Sequence, residues 1–321
     1  MKKLRVYFMG SGNIAVPVLQ ELARAKDRIE LVGAGTQPDR PSGRRNRVQS
    51  TPVGSAAPVL GIEPDKIESA SSPEFIEHIR ALAPDFLLVI SFGQILRDAL
   101  LETARFGGVN IHASILPRYR GASPITACIA RRDAYTGVTF IRMVKKLDAG
   151  DIYRVIRYPL TGRERCDELE VRLGLVAAAG TVDTLTGIAD GSIVGAPQDE
   201  SLVSMTCKIR KDDGRIDWRW SAETVEAVTR AFYPWPGALM TLLFGDREEN
   251  ITIHAAKVLN GISAPPGTIV RADKNGFIVG CGSGAVELLE ITPAGRRKMP
   301  AVAYLNGCKI LSATVKTDIV Q

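Results

Sequence analysis

Asn110 and His112 stand two residues apart in the run Val-Asn-Ile-His-Ala. On an extended strand both side chains face one way, while Val109 and Ile111 face the other. An amide beside an imidazole can polarise a carbonyl and handle a proton. A carboxylate that could join them lies in Leu147-Asp148-Ala149-Gly150-Asp151, a turn after a later apolar run. The bland alternative is a polar strand end whose side chains are satisfied locally.

The elements around this pair follow from local chemistry. After the strand, Pro117 removes a backbone donor and restricts Leu116, so the chain continues as a loop. Arg118 and Arg120 bracket Tyr119 ahead of Gly121. Residues 86–91 are almost wholly apolar, the pattern of a central parallel strand, and Phe92-Gly93-Gln94 follow its end. Ligands of open α/β sheets bind outside the carboxyl ends of the strands, which places Phe92, Gln94, Asn110 and His112 on one rim.

The chain opens as a βαβ unit: a strand over 4–9, a turn at Gly10-Ser11-Gly12, a helix with Ala15, Val18, Leu19 and Leu22 at helical spacing, and a strand over 29–35. Gly10, Gly12 and Ala15 fit a dinucleotide fingerprint. However, the second strand ends without an acid for a ribose until Asp39, which favours a plain tight turn. Residues 37–52 read as a loop, because their Pro and Gly exclude regular structure. Arg40, Arg44, Arg45 and Arg47 make that loop either a cationic finger suited to phosphates or an ordinary solvated surface. Further helices are expected over 73–82 and 167–188, and strands over 138–144 and 152–159.

Gly191, Gly195 and Pro197 suggest a linker, dividing the chain into 1–190, a linker over 191–207, and 208–321. In the last part Ser221 can cap a helix bearing Val225, Val228 and Phe232. Short apolar runs over 239–244, 251–258, 267–272, 276–279 and 285–291 then give the cadence of a small OB-like β-barrel. A basic turn, Arg296-Arg297-Lys298, follows. Such barrels hold nucleic acid through a positive face, or serve as a structural cap.

The 321 residues suit two domains, and the net charge of +6 fits a polyanionic partner or a basic enzyme equally. Cys128, Cys166, Cys207, Cys281 and Cys308 are scattered without metal-ligand spacing, as reduced thiols of a cytoplasmic protein would be. No metal site, signal segment or stretch of membrane-spanning length is read from the sequence.

The run Asn-Ile-His, then Ser-Ile-Leu-Pro-Arg-Tyr-Arg-Gly-Ala, Thr136-Gly137-Val138-Thr139 and Leu-Asp-Ala-Gly-Asp, resembles the folate-dependent formyltransferases. Residues 37–44, the Arg-Ile-Asp-Trp and Phe-Tyr-Pro-Trp-Pro segments, and residues 293–299 resemble the branch that formylates methionyl-tRNA. The resemblance implies an α/β protein, with a Rossmann-like parallel-sheet catalytic domain followed by the OB-like barrel. It implies Asn110, His112 and Asp148 as the catalytic trio. Ser114, Ile115, Leu116 and Pro117 match the folate-contacting segment, with Phe92 and Gln94 on the same rim. Arg40, Arg44, Arg45, Arg47, Arg296, Arg297 and Lys298 are then the candidate tRNA contacts.

The implied reaction moves a formyl group from 10-formyltetrahydrofolate to the α-amine of methionyl-initiator tRNA. Asn110 would bond the tetrahedral oxyanion, His112 would stabilise it or deliver a proton, and Asp148 would orient the imidazole. Metal and nicotinamide have no part in it, and the partners are tRNA and folate, with no membrane and no obligate protein partner. A formyltransferase acting on a sugar-nucleotide amine, or another small amine, would keep the trio but have no use for the arginine loop. This chain departs from the family pattern at Val144-Lys145-Lys146, Tyr119 and Ile115, none of them in the trio.

Overall fold

A computed structural model of the protein describes residues 2–42, 47–306 and 314–317. β1 (Leu4–Gly10), α1 (Ala15–Arg24) and β2 (Ile29–Thr36) form the opening βαβ unit. α1 buries Ala15, Val18, Leu19 and Leu22, the face its periodicity announces. Next come β3 (Arg40–Ser42), β4 (Arg47–Gln49), α2 (Pro52–Ala56), β5 (Asp65–Lys66) and α3 (Pro73–Leu82). The Ser72 hydroxyl caps α3 by accepting from the Phe75 N–H at 3.2 Å. β6 (Phe86–Ile90) is buried at every position, as a central strand must be. α4 (Asp98–Leu101), β7 (Gly108–His112), β8 (Arg120–Gly121), α5 (Pro124–Ala130), β9 (Tyr135–Arg142), β10 (Ile152–Pro159), α6 (Cys166–Asp190) and β11 (Met205–Thr206) follow.

The large sheet runs β10-β9-β7-β6-β1-β2-β5. The five strands from β7 to β5 pair in parallel, giving the Rossmann-like half. β9 and β10 add antiparallel strands at one edge. That reversal matters for the site. Arg142 at the end of β9 pairs with Val109 near the start of β7. The loop after β9 must therefore fold back along β7 to reach Asn110 and His112.

Two sequence expectations change here and a third, the plain glycine turn, holds. The loop over 37–52 contains a short hairpin, with Arg40 opposite Gln49 and Pro41 opposite Val48. A two-stranded ribbon is all edge, where proline is tolerated. The linker over 191–207 is built into the first unit through 206: Ala196 exchanges two backbone hydrogen bonds with Ile152, at 2.8 and 2.9 Å, and β11 pairs with β8. The glycine turn after β1 is closed to phosphate. The Ser11 and Gly12 amides face the Ser91 carbonyl at 3.1 and 3.4 Å, and the Ile14 amide meets the Glu170 carboxylate at 3.4 Å. A pyrophosphate there would meet a negative charge.

Two compact units result. The first holds Met1–Pro124, Tyr135–Pro159 and Leu169–Thr206; the second holds Ile125–Ala134, Leu160–Glu168 and Cys207–Gln321. α6 is long and apolar enough to cross a membrane, yet 56% of that apolar window is buried inside the fold. Its Leu169, Leu173, Ala177 and Leu185 are fully covered, as in the core helix of a globular domain.

The second unit adds α7 (Ala222–Ala231), β12 (Ala238–Phe244), β13 (Arg247–Leu259), β14 (Ile269–Asp273), β15 (Gly276–Gly280), β16 (Ala285–Pro293), β17 (Met299–Pro300), α8 (Ala301–Leu305) and β18 (Thr314–Val315). Its strands form a barrel-like antiparallel sheet in the order β14-β15-β16-β13-β12-β18. Trp218, Val225, Met240, Ile251, Phe277 and Leu288 fill the core. β13 starts earlier than its apolar run, because Arg247 to Asn250 zip onto β12 across a tight turn.

Cys281 lies in this core, and burial pushes its thiol up to about 12. Thiolate is the reactive form. Alkylation of the native protein at pH 8 is expected to mark exposed Cys207 and leave Cys281 untouched until denaturant is added. Peptide mass mapping checks this, and labelling of native Cys281 at the Cys207 rate would contradict the packing.

Candidate active site

β7 pairs with β6 on one side and β9 on the other, so the Asn-x-His spacing is held rigid. His112 is 6% exposed. Its Nε2 lies 2.8 Å from the Tyr119 carbonyl oxygen. A carbonyl only accepts, so Nε2 carries the hydrogen and Nδ1 is the ring atom turned to Asp148, 3.5 Å from Oδ2. Asn110 Nδ2 donates to Asp148 Oδ1 at 3.3 Å. The amide nitrogen has two hydrogens, and this bond takes one.

The Asp148 carboxylate also accepts the Gly121 N–H on Oδ2 at 2.8 Å. Hydrogen bonds to an ionised acceptor are among the stronger ones. Asp148 itself is left-handed, with φ at 49°, a conformation that short polar residues tolerate better than most. Two glycines make room for the turn. A Cβ on Gly150 would run into the Arg142 carbonyl oxygen, and one on Gly121, whose φ is 105°, would run into the Thr206 carbonyl oxygen. The trio thus comes from a strand, which gives Asn110 and His112, and a folded-back turn, which gives Asp148, with β8 as the buttress.

The loop after β7 is tied down internally. Ser114 Oγ donates to the Arg118 carbonyl at 2.7 Å, and Thr139 Oγ1 donates to the Ser114 carbonyl at 2.6 Å while accepting from the Leu116 N–H at 3.2 Å. The Ser114 hydroxyl is fully buried and spent on this strut. Leu116 is buried, whereas Ile115 and Pro117 are half-buried and keep apolar surface toward solvent. Phe92 is buried, and its carbonyl accepts from Ser11 Oγ and Gln37 Nε2, both at 3.2 Å. Gln94 braces the chain: its Oε1 accepts from the Ala70 N–H and its Nε2 donates to the Ile67 carbonyl, each at 2.8 Å. Its amide is committed to the fold rather than turned outward.

Of the candidate polyanion contacts, Arg40 and Arg47 are exposed on the hairpin, and Arg44 and Arg45 lie outside the described residues. In the second unit Arg296 stacks over the Tyr304 ring at 5.6 Å, Lys298 pairs with Glu290 at 2.6 Å, and Arg297 is exposed. Lys146, one of the unusual lysines before the turn, pairs with Glu200 at 2.8 Å.

Sequence reasoning missed the layer beneath the turn. Arg120 is 1% exposed and bonds Gln198 and Glu200. Its bond, with that of Lys146, holds the Glu200 carboxyl down to about 2. These groups carried no periodic signal, and the stretch containing Gln198 looked like a connector.

Comparison with known proteins identifies the family. A formyl transferase family model matches residues 2–185, and the model of the formyl transferase C-terminal domain matches 208–309. Methionyl-tRNA formyltransferase of Geobacter metallireducens is 37% identical over 312 residues, covering 97% of each chain. The enzyme of the same name from Sorangium cellulosum is 36% identical over 304 residues, 95% of this chain and 96% of that one. Among solved structures, WlaRD, a sugar 3N-formyl transferase crystallised with dTDP and 5-N-formyl-THF, superposes with a TM-score of 0.64 at 16% identity, over 92% of this chain and all of its own. HypX from Aquifex aeolicus in complex with tetrahydrofolic acid superposes at 0.63 with 16% identity over 95% of this chain, which spans only 47% of HypX. At such identities these two speak for the fold alone. The full-length relatives and both domain models carry the assignment: this chain belongs to the methionyl-tRNA formyltransferase family.

Proposed function

We propose that the protein transfers the formyl group of 10-formyltetrahydrofolate to the α-amine of methionine esterified to initiator tRNA, with Asn110, His112 and Asp148 as the catalytic groups. The observation that carries this reading is the meeting of an amide donor and an imidazole on one carboxylate in the parallel-sheet unit. The rim suits a folate: half-buried Ile115 and Pro117 after β7, and 81% exposed Ile95 after β6, offer apolar surface at the ends of neighbouring strands. The folate supplies the formyl group already activated on a poorly basic nitrogen.

Asn110 Nδ2 aims a hydrogen at the oxygen on which negative charge develops. As the neutral amine bonds to the formyl carbon and the bond from that carbon to N10 breaks, His112 uses Nδ1 to pass the amine's proton to the departing N10, since Nε2 is anchored on the Tyr119 carbonyl. Asp148 holds both side chains in place before the reaction begins, so little reorganisation is needed when charge appears. The first unit, with 191–206 built into it, does the chemistry, and 208–321 hold tRNA. Ser114, Leu116, Phe92 and Gln94 shape the folate cleft through backbone and packing, and the working compartment is the cytoplasm.

Labelled formyl transfer to methionyl-initiator tRNA, with methionyl-elongator tRNA alongside, tests the whole reading. Label on the initiator alone is expected. Label on neither, from protein that binds folate, would move the acceptor to a small-molecule amine. Replacing Arg40, Arg44, Arg45 and Arg47 together by Ala is expected to raise the KM for tRNA about tenfold and flatten its salt dependence, leaving the KM for folate unchanged. An unchanged KM for tRNA would reduce the hairpin to a solvated surface.

A further inference from the structure

The turn that carries Asp148 has little apolar anchorage. Val144 and Leu147 are 42% and 56% exposed, Lys145 and Lys146 face solvent, and Asp148 sits in the left-handed region. Polar contacts must therefore place it. One side chain meets the turn twice: Gln198 Nε2 donates to the backbone carbonyls of Asp148 and Gly150, each at 2.8 Å. Its Oε1 accepts from Arg120 Nε at 3.1 Å and Arg120 Nη2 at 2.8 Å. This pattern fixes the amide orientation, because carbonyls only accept and a guanidinium only donates. Arg120 is itself held, buried, against Glu200. All of these residues belong to the first unit.

We infer that Gln198 is a positioning residue for formyl transfer, clasping the Asp148 turn so that its carboxylate meets Asn110 and His112. The inference rests on Asp148 acting in catalysis. No shorter or singly donating side chain does the same work. The two carbonyls need two hydrogens from one nitrogen, and the same group must accept from a buried guanidinium.

The test compares Gln198→Ala, Gln198→Glu, Asp148→Asn and the double variant Gln198→Ala/Asp148→Asn in the full chain, by kcat, both KM values and Tm. Gln198→Glu keeps an acceptor for Arg120 but turns a carboxylate on the two carbonyls, so it folds while releasing the turn. Both Gln198 variants are expected to lose about 10- to 100-fold in kcat, with KM for folate and tRNA within about twofold of the parent. In the Asp148→Asn background the Gln198→Ala change is expected to cost less than about threefold more, since a misplaced turn matters only if its carboxylate works. A lowered Tm with kcat intact in the Gln198 variants, or losses that multiply in the double variant, overturns the inference. Should Gln198→Ala fail to fold, the same comparison is read from Gln198→Glu, alone and in the Asp148→Asn background. Near-wild-type turnover by Asp148→Asn overturns the trio and the clasp together. Silenced Asp148→Asn beside fully active Gln198 variants overturns the clasp alone.

Discussion

Asn110→Ala and His112→Ala are each expected to leave a folded protein that has lost about 10²- to 10³-fold in kcat, roughly 3–4 kcal/mol of transition-state stabilisation. Neither side chain builds the fold. β7 is held by backbone pairing to β6 and β9, which these substitutions do not touch. Removing His112 gives up the hydrogen bond to the Tyr119 carbonyl and the contact with Asp148 and leaves a small void, a loss of about 1–3 kcal/mol. Removing Asn110 leaves Asp148 with the Gly121 N–H and the imidazole. Tm is therefore expected to fall by about 2–10 °C. Formyl transfer to methionyl-tRNA measures kcat, and calorimetry measures Tm on the same preparations. Near-wild-type turnover in either variant would sink the assignment of that residue. A collapse of Tm would mean that the residue is structural.

Gly121→Ala is expected to cost about 1–3 kcal/mol of stability and about 10²-fold in turnover, although none of the three proposed catalytic side chains is altered. The φ of 105° is one that L side chains rarely adopt, and the added Cβ points at the Thr206 carbonyl oxygen. Relief requires β8 to move away from β11, and the Gly121 N–H leaves Asp148 as it goes. Gly61→Ala separates strain from position. Gly61 also has positive φ, at 74°, but a Cβ there meets nothing within 4 Å. It is expected to lose about 1–2 kcal/mol of stability and no activity. Equal turnover in the two variants would show that the β8 buttress does not set the Asp148 position.

Elements whose signal is local were legible before the fold was known. The apolar face of α1, the continuous apolar run of β6 and the Ser221 cap of α7 each write their cause within a few residues. The pairing of Asn110 with His112 was legible for the same reason, since strand pleat alone sets residues two apart on one face. The hairpin of β3 and β4 was hidden because proline argues against strand unless the strand is an edge. The polar start of β13 was hidden because its partner, β12, supplies the order.

What the sequence determined by itself is the chemistry on offer: an amide and an imidazole at fixed spacing, a carboxylate in a glycine-bearing turn, and arginines in a loop rich in proline and glycine. Tertiary structure alone decided how they are used. An antiparallel β9 ends beside the start of β7, so the Asp148 turn must fold back to meet Asn110, 38 residues away. Gln198 then reaches that turn across 50 residues and Arg120 across 78. Contacts between such distant residues depend on where the backbone brings them. They leave no period in the sequence, because each is a bond or two between single polar groups rather than a face repeated along an element.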